Sequence, residues 1–145
     1  MSNLYITADQ VGIETGGGLV TSQEWQAFKT LGEPCFLLDR SRLSLEQTSK
    51  GDPWNWDEAA YRIIVRNAIR PKLAHFYAGT FSQTISYLKS IDCKISYTAA
   101  AHDVDVSRRE HEQLGWAFNL PHLTEADLWA RYLQGYLDAD LLICP

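Results

Sequence analysis

Residues 72–101, KLAHFYAGTFSQTISYLKSIDCKISYTAAA, decide how the rest of the chain is read. KLAHFYAG (72–79) and KISYTAAA (94–101) are short and mostly apolar throughout, as strands covered by helices on both faces are. Between them, residues 80–91 place Phe81, Ile85, Leu88 and Ile91 at helical spacing. Strand, amphipathic helix and strand in succession form the repeating unit of a parallel sheet. The same grammar extends in both directions. LYITA (4–8), PCFLLDR (34–40) and LLIC (141–144) read as further strands. TSQEWQAFKTLG (21–32) reads as a helix, with Thr21 and Glu24 at capping-box spacing and Gly32 as its stop. A helix over 57–70 aligns Tyr61, Ile64, Val65, Ala68 and Ile69, and Pro71 ends it. Another over 124–139 aligns Leu128, Trp129, Tyr132, Leu133 and Tyr136, and a short one can begin at Ser107. Residues 41–57 are the most loop-like, with Gly51 and Pro53 as breakers.

The expected fold is therefore α/β: a Rossmann-like doubly wound parallel sheet, three layers deep, in a single domain over residues 1–145. Ligands of such sheets bind beyond the strand C-termini. That rule singles out segments 9–20, 39–53, 79–80 and 102–107.

Composition narrows the function. The 145 residues are 46% hydrophobic and 21% charged, ordinary for a globular domain and unlike disordered or fibrous chains. A net charge of −5 argues against a whole-domain grip on nucleic acid. No apolar run approaches the ~20 residues of a membrane span, and the first ten residues do not read as a signal peptide. The expected compartment is the cytoplasm. Cys35, Cys93 and Cys144 form no C-x-x-C pair, and Cys35 and Cys144 sit in apolar runs, so they read as small hydrophobes. His111-Glu112 is followed by Gly115 where a zincin needs a second histidine, and neither a metal nor a cofactor is expected.

Three motifs can carry chemistry. Gly16-Gly17-Gly18 follows the first strand and leads into a helix, where backbone amides and the helix's positive end suit a phosphate. With Asp39 placed 21 residues beyond Gly18, it also makes a defective dinucleotide fingerprint. His102 and Asp103 close the fourth strand at the ligand edge. A neutral imidazole there can exchange a proton with a substrate hydroxyl; equally, Asp103 or Asp105 can cap the next helix while His102 packs. Arg62, Arg66 and Arg70 repeat every four residues, with Lys72 beyond. They form either a contact for anionic lipid or an acidic partner, or a solvated helix face.

Taken in order, VGIETGGGLVTSQEWQAFKTLG, HFYAGTFSQTISYLKS, KISYTAAAHDVD and EADLWARYLQGYLDADLLICP resemble the N-terminal domain of a group 1 (family 4) glycosyltransferase of the GT-B architecture. The resemblance implies that a sugar moves from a nucleotide-sugar donor to a sugar or lipid-linked acceptor, with retention and without an obligatory metal. It implies that Gly16, Gly17 and Gly18 face the donor diphosphate and the acceptor, and that His102 lies close to the transferring sugar with Asp103 beside it. It also implies a cytoplasmic enzyme, with peripheral contact at the inner face of a membrane. The family's second, nucleotide-sugar-binding domain and its E-x7-E pair are absent from these residues, so the chain is expected to be inactive alone. Two readings from other classes stand beside it: a dinucleotide-binding oxidoreductase domain using Gly16, Gly18 and Asp39, and a non-catalytic α/β interaction module. The final strand has no helix after it, so the expectation is either that the natural chain continues past Pro145 or that a partner, such as a second copy in a homodimer, covers this open C-terminal edge.

Overall fold

The computed structural model describes residues 2–14, 16–46, 55–77, 80–99, 112–115 and 125–144. The expected α/β fold is present. Five strands, β1 (Ser2–Thr7), β2 (Cys35–Leu38), β3 (Pro71–Tyr77), β4 (Lys94–Thr98) and β5 (Leu141–Ile143), form one sheet in the order β2-β1-β3-β4-β5. Every neighbouring pair is parallel. The helices are α1 (Gly16–Lys29), α2 (Arg40–Leu43), α3 (Asn55–Arg66), α4 (Ser82–Ser90) and α5 (Glu125–Asp138).

Strand alternation sorts side chains into two layers. Leu4 and Ile6 of β1, Ala74 and Phe76 of β3, and Ile95 and Tyr97 of β4 face one way. They form the main core with Ala60 and Ile64 of α3 and Ile85 and Leu88 of α4, and Tyr136 of α5 packs onto it. Tyr5 and Tyr77 face the other way, with Phe28 and Trp25 of α1. The chain turns one way from β1 to β2 and the other way from β2 onward, so right-handed crossovers put α1 alone on its side among the described helices. The order in which strands are added thus reverses between β1 and β3.

Two helix boundaries differ from the pattern. α1 begins at Gly16, five residues before Thr21. Thr21 is buried inside the helix, its hydroxyl donating to the Gly18 carbonyl at 3.2 Å, so it is no cap. α3 ends at Arg66 and not at 70, because Ala68 adopts a left-handed conformation at φ 50°. Pro71 instead opens β3. The start of α4 is capped from a distance. Phe81 at its N-cap offers no side-chain bond, and the Asp57 carboxylate of α3 accepts from the Gln83 and Thr84 amides, both at 2.9 Å. The Thr84 hydroxyl donates to the same carboxylate at 2.7 Å.

Candidate functional site

The strand order reverses between β1 and β3, and doubly wound sheets bind ligands beyond the strand C-termini at such a point. The loop after β1 is pinned there. The Asp9 amide donates to Thr7 Oγ1 at 3.0 Å, the Val11 amide to Asp39 Oδ2 at 3.3 Å, and Gly12 turns at φ 87°, a conformation open to glycine. The Gly12 amide then donates to the Gly18 carbonyl at 3.3 Å, folding the loop back on the helix it feeds. Gly16, Gly17 and Gly18 are the first residues of α1, so the helix's positive end presents backbone without side chains.

Asp39 sits at the end of β2, as the sequence places it, but its carboxylate is engaged within the chain. Besides Val11 it accepts from the Ser41 hydroxyl at 2.6 Å and the Arg42 amide at 3.4 Å, which makes it the N-cap of α2. β4 ends two strands from β1, with only β3 between, so the two C-termini stand about 10 Å apart. His102, Asp103, Asp105 and the helix expected at Ser107 lie outside the described residues. The arginine row is partly neutralised: Arg62 pairs with Glu58, and Arg66 with Glu46.

A second polar cluster lies on the α1 side of the sheet, and sequence reasoning missed it. Three strands converge on the Glu24 carboxylate of α1. The Tyr5 hydroxyl donates to Oε2 at 2.8 Å, His75 Nε2 reaches the same oxygen at 3.2 Å, and the Thr98 hydroxyl donates to Oε1 at 2.9 Å. A proton on Nε2 leaves His75 Nδ1 to accept from the Ser96 hydroxyl at 2.8 Å. Tyr5, His75 and Ser96 are direct sheet partners in one row, which is why they meet. Burial alone would raise the Glu24 carboxyl, but hydrogen bonds from His75, Tyr5 and Thr98 outweigh it and hold the group below its ordinary 4.5. Burial, reinforced by the Glu24 charge, drives the Tyr5 phenol far above its ordinary value. The sequence signal was a histidine in an otherwise apolar strand; Glu24 was hidden by its capping-box spacing.

A cavity of about 270 Å³ opens beside this cluster, with Ala27, Phe28, Leu31 and Ile143 as apolar walls and Glu24 and His75 at its polar side. Serine, histidine and glutamate are linked here in the order of a nucleophile relay. The row nevertheless runs through the middle of the sheet, where ladder bonding occupies the backbone amides that would serve an oxyanion, and Ser96 is only 8% exposed. The cluster therefore acts as a polar tether of α1 to three strands. Among the described residues, no group of three or more His, Cys, Asp or Glu side chains is placed to hold a metal ion. No described helix is long and apolar enough to cross a membrane.

No protein-family model matches the chain, and no curated protein matches it. Among solved structures, the crystal structure of TesA aligns with 94% of this chain and 94% of its own, at a TM-score of 0.42 and 10% identity.

Proposed function

We propose that this chain is the N-terminal, acceptor-side domain of a GT-B glycosyltransferase that moves a sugar from a nucleotide-sugar donor to a sugar or lipid-linked acceptor. The observation that carries the reading is the coincidence of the β1/β3 reversal with a helix whose first three residues are glycine. In the reaction, the bond between the anomeric carbon and the diphosphate oxygen breaks, and a bond to an acceptor hydroxyl forms as that hydroxyl loses its proton. The leaving diphosphate gathers negative charge, which the positive end of α1 opposes at close range because no side chain stands in the way. By the resemblance, His102 and Asp103 serve the transferring sugar from the end of β4. A second domain would supply most donor contacts, so these residues alone hold the donor weakly and do not turn over. The reading places the enzyme in the cytoplasm, at the inner face of a membrane where its acceptor is lipid-linked. The dinucleotide alternative is the weaker one, because the Asp39 carboxylate is already engaged by Val11, Ser41 and Arg42.

The test is an amide-resolved NMR titration with inorganic pyrophosphate, UDP and GDP. Millimolar binding with shifts centred on residues 12–18 is expected. Gly17→Asp should leave α1 intact, since a carboxylate suits a helix N-terminus, yet abolish those shifts by repulsion. Shifts centred elsewhere, or unchanged in Gly17→Asp, would overturn the assignment.

A further inference from the structure

Two polar groups flank the point where the strand order reverses, one from each side. Tyr77, the last residue of β3, is only 8% exposed. Alternation puts it on the α1 side of the sheet, in the cluster with Tyr5 and Phe28. Tyr5, on the same face of β1, has its phenol paired, donating to Glu24 at 2.8 Å. The Tyr77 hydroxyl makes no hydrogen bond with any described residue. A hydroxyl buried to this degree is normally paired, so an unpaired one at the ligand-binding end of a sheet marks the place of a bound group. Its oxygen is also reachable: among the described residues the sealed, unpaired side-chain atom is Asn3 Oδ1, not the Tyr77 hydroxyl.

Asp9 approaches from the β1 side. Thr7 and Tyr77 are direct partners across the β1–β3 ladder. The Asp9 amide donates to Thr7 Oγ1 at 3.0 Å and its carbonyl accepts from the Arg40 amide at 3.1 Å, which fixes its backbone over the end of β1. Its half-buried carboxylate accepts no hydrogen bond and pairs with no cation among the described residues. The two groups are close enough to feel each other. Burial, followed by the charges of Asp9 and Glu24, pushes the Tyr77 phenol above its ordinary value, so it keeps its proton at neutral pH and can donate.

A carboxylate beside this phenol repels a phosphate and suits a neutral group with hydroxyls to donate. The phosphate itself belongs at the positive end of α1, on the same side of the sheet. We infer that Asp9 and Tyr77 bind the sugar ring attached to that phosphate, Asp9 accepting from two neighbouring ring hydroxyls and Tyr77 donating to a ring oxygen. The inference rests on the glycosyl-transfer reading above and adds the residues that recognise the sugar. It divides the site in two, with the phosphate at the start of α1 and the ring between the ends of β1 and β3.

Amide-resolved NMR titration of the intact chain tests this with ligands that carry or lack the ring. UDP-glucose, UDP-N-acetylglucosamine and GDP-mannose are set against UDP and GDP, and octyl glucosyl diphosphate against octyl diphosphate. At least one ring-bearing ligand is expected to bind about tenfold more tightly than its ring-free counterpart, with added shifts at Asp9 and Tyr77. A gain in the nucleotide series assigns the ring to the donor, and a gain in the octyl series assigns it to a lipid-linked acceptor. Tyr77→Phe should cut the gain about fivefold and Asp9→Asn should abolish it, while both variants keep the pyrophosphate shifts at residues 12–18. Tyr77→Phe should also melt with the wild type, because its hydroxyl has no partner within the chain. No gain with any ring, a gain that neither variant reduces, or a clear loss of stability in Tyr77→Phe would overturn this inference alone. Absence of the pyrophosphate shifts in the wild type would overturn the diphosphate site and this inference with it.

Discussion

Replacing Glu24 by alanine tests whether α1 is held to the sheet by the polar cluster or only by Trp25 and Phe28. The substitution removes the acceptor of Tyr5, His75 and Thr98, of which Tyr5 and Thr98 belong to residues no more than 3% exposed. Hydrogen bonds to a charged group contribute ~1.5–3 kcal/mol each, and a buried donor left unpaired costs a similar amount. The full sum overstates the loss. The Glu24 side chain is 25% exposed, the neighbouring cavity lets water reach the freed donors, and the Ser96–His75 bond survives. A loss of about 3 kcal/mol follows, a large share of the ~5–15 kcal/mol that holds a domain of this size. At roughly 4 °C per kcal/mol, the melting temperature should fall by roughly 12 °C. Urea unfolding followed by circular dichroism and Trp fluorescence measures the free-energy loss, and a thermal melt measures the shift in melting temperature. Tyr5→Phe, which removes one of the donors, should cost about 1.5 kcal/mol, the low end of that range, and show coupling with Glu24→Ala in a double-mutant cycle. The pH dependence has a definite sign. Glu24 is held below 4.5 in the folded chain, so its contribution is fully present above pH 4.5 and is lost as pH falls through the lower folded value. Glu24→Gln should flatten that part of the acid unfolding curve. A cost below about 1 kcal/mol for Glu24→Ala, or an unchanged acid limb in Glu24→Gln, would refute the tether.

Asp57→Ala should destabilise the chain by ~2–3 kcal/mol, because α4 loses the side-chain cap that Asp57 provides and the buried Thr84 hydroxyl loses its carboxylate partner. Thermal melts measure this, and a change within ±0.5 kcal/mol, usual for featureless surface sites, would contradict the capping role. Alkylation followed by mass spectrometry at pH 8 should label exposed Cys144 first and spare Cys93 until denaturant is added, since burial pushes the Cys93 thiol up to about 11. Labelling of native Cys93 as fast as Cys144 would show that its site opens readily. Calorimetry with a panel of nucleotide sugars should give weak binding only, and no transfer should be detectable; tight binding by these residues alone would move the donor site away from a second domain.

Hydrophobic periodicity carried the architecture, because a strand buried on both faces and a helix buried on one leave different marks in a linear string. All five strands lie within three residues of where LYITA, PCFLLDR, KLAHFYAG, KISYTAAA and LLIC begin and end. The helix over 80–91 is α4, and LLIC is β5, the last strand of the order among the described residues. The sequence also placed Gly16–Gly18 after β1, leading into a helix. It did not locate the start itself: Thr21 and Glu24 satisfy the local rule for a cap, yet tertiary contacts decide otherwise. Loop residues pinned by Thr7 and Asp39 deliver the chain to α1 earlier, and Glu24 then lies over the sheet. The meeting of Tyr5, Glu24, His75 and Thr98 spans separations of 19 to 74 residues and depends on strand order and register. No local pattern encodes that. Asp57 capping a helix from 26 residues away, and Asp39 closing α2 onto the β1 loop, depend on the same thing. A short-range signal fixes which residues face a core, whereas the pairing of polar groups depends on which strands become neighbours, and that is settled by packing over the whole chain.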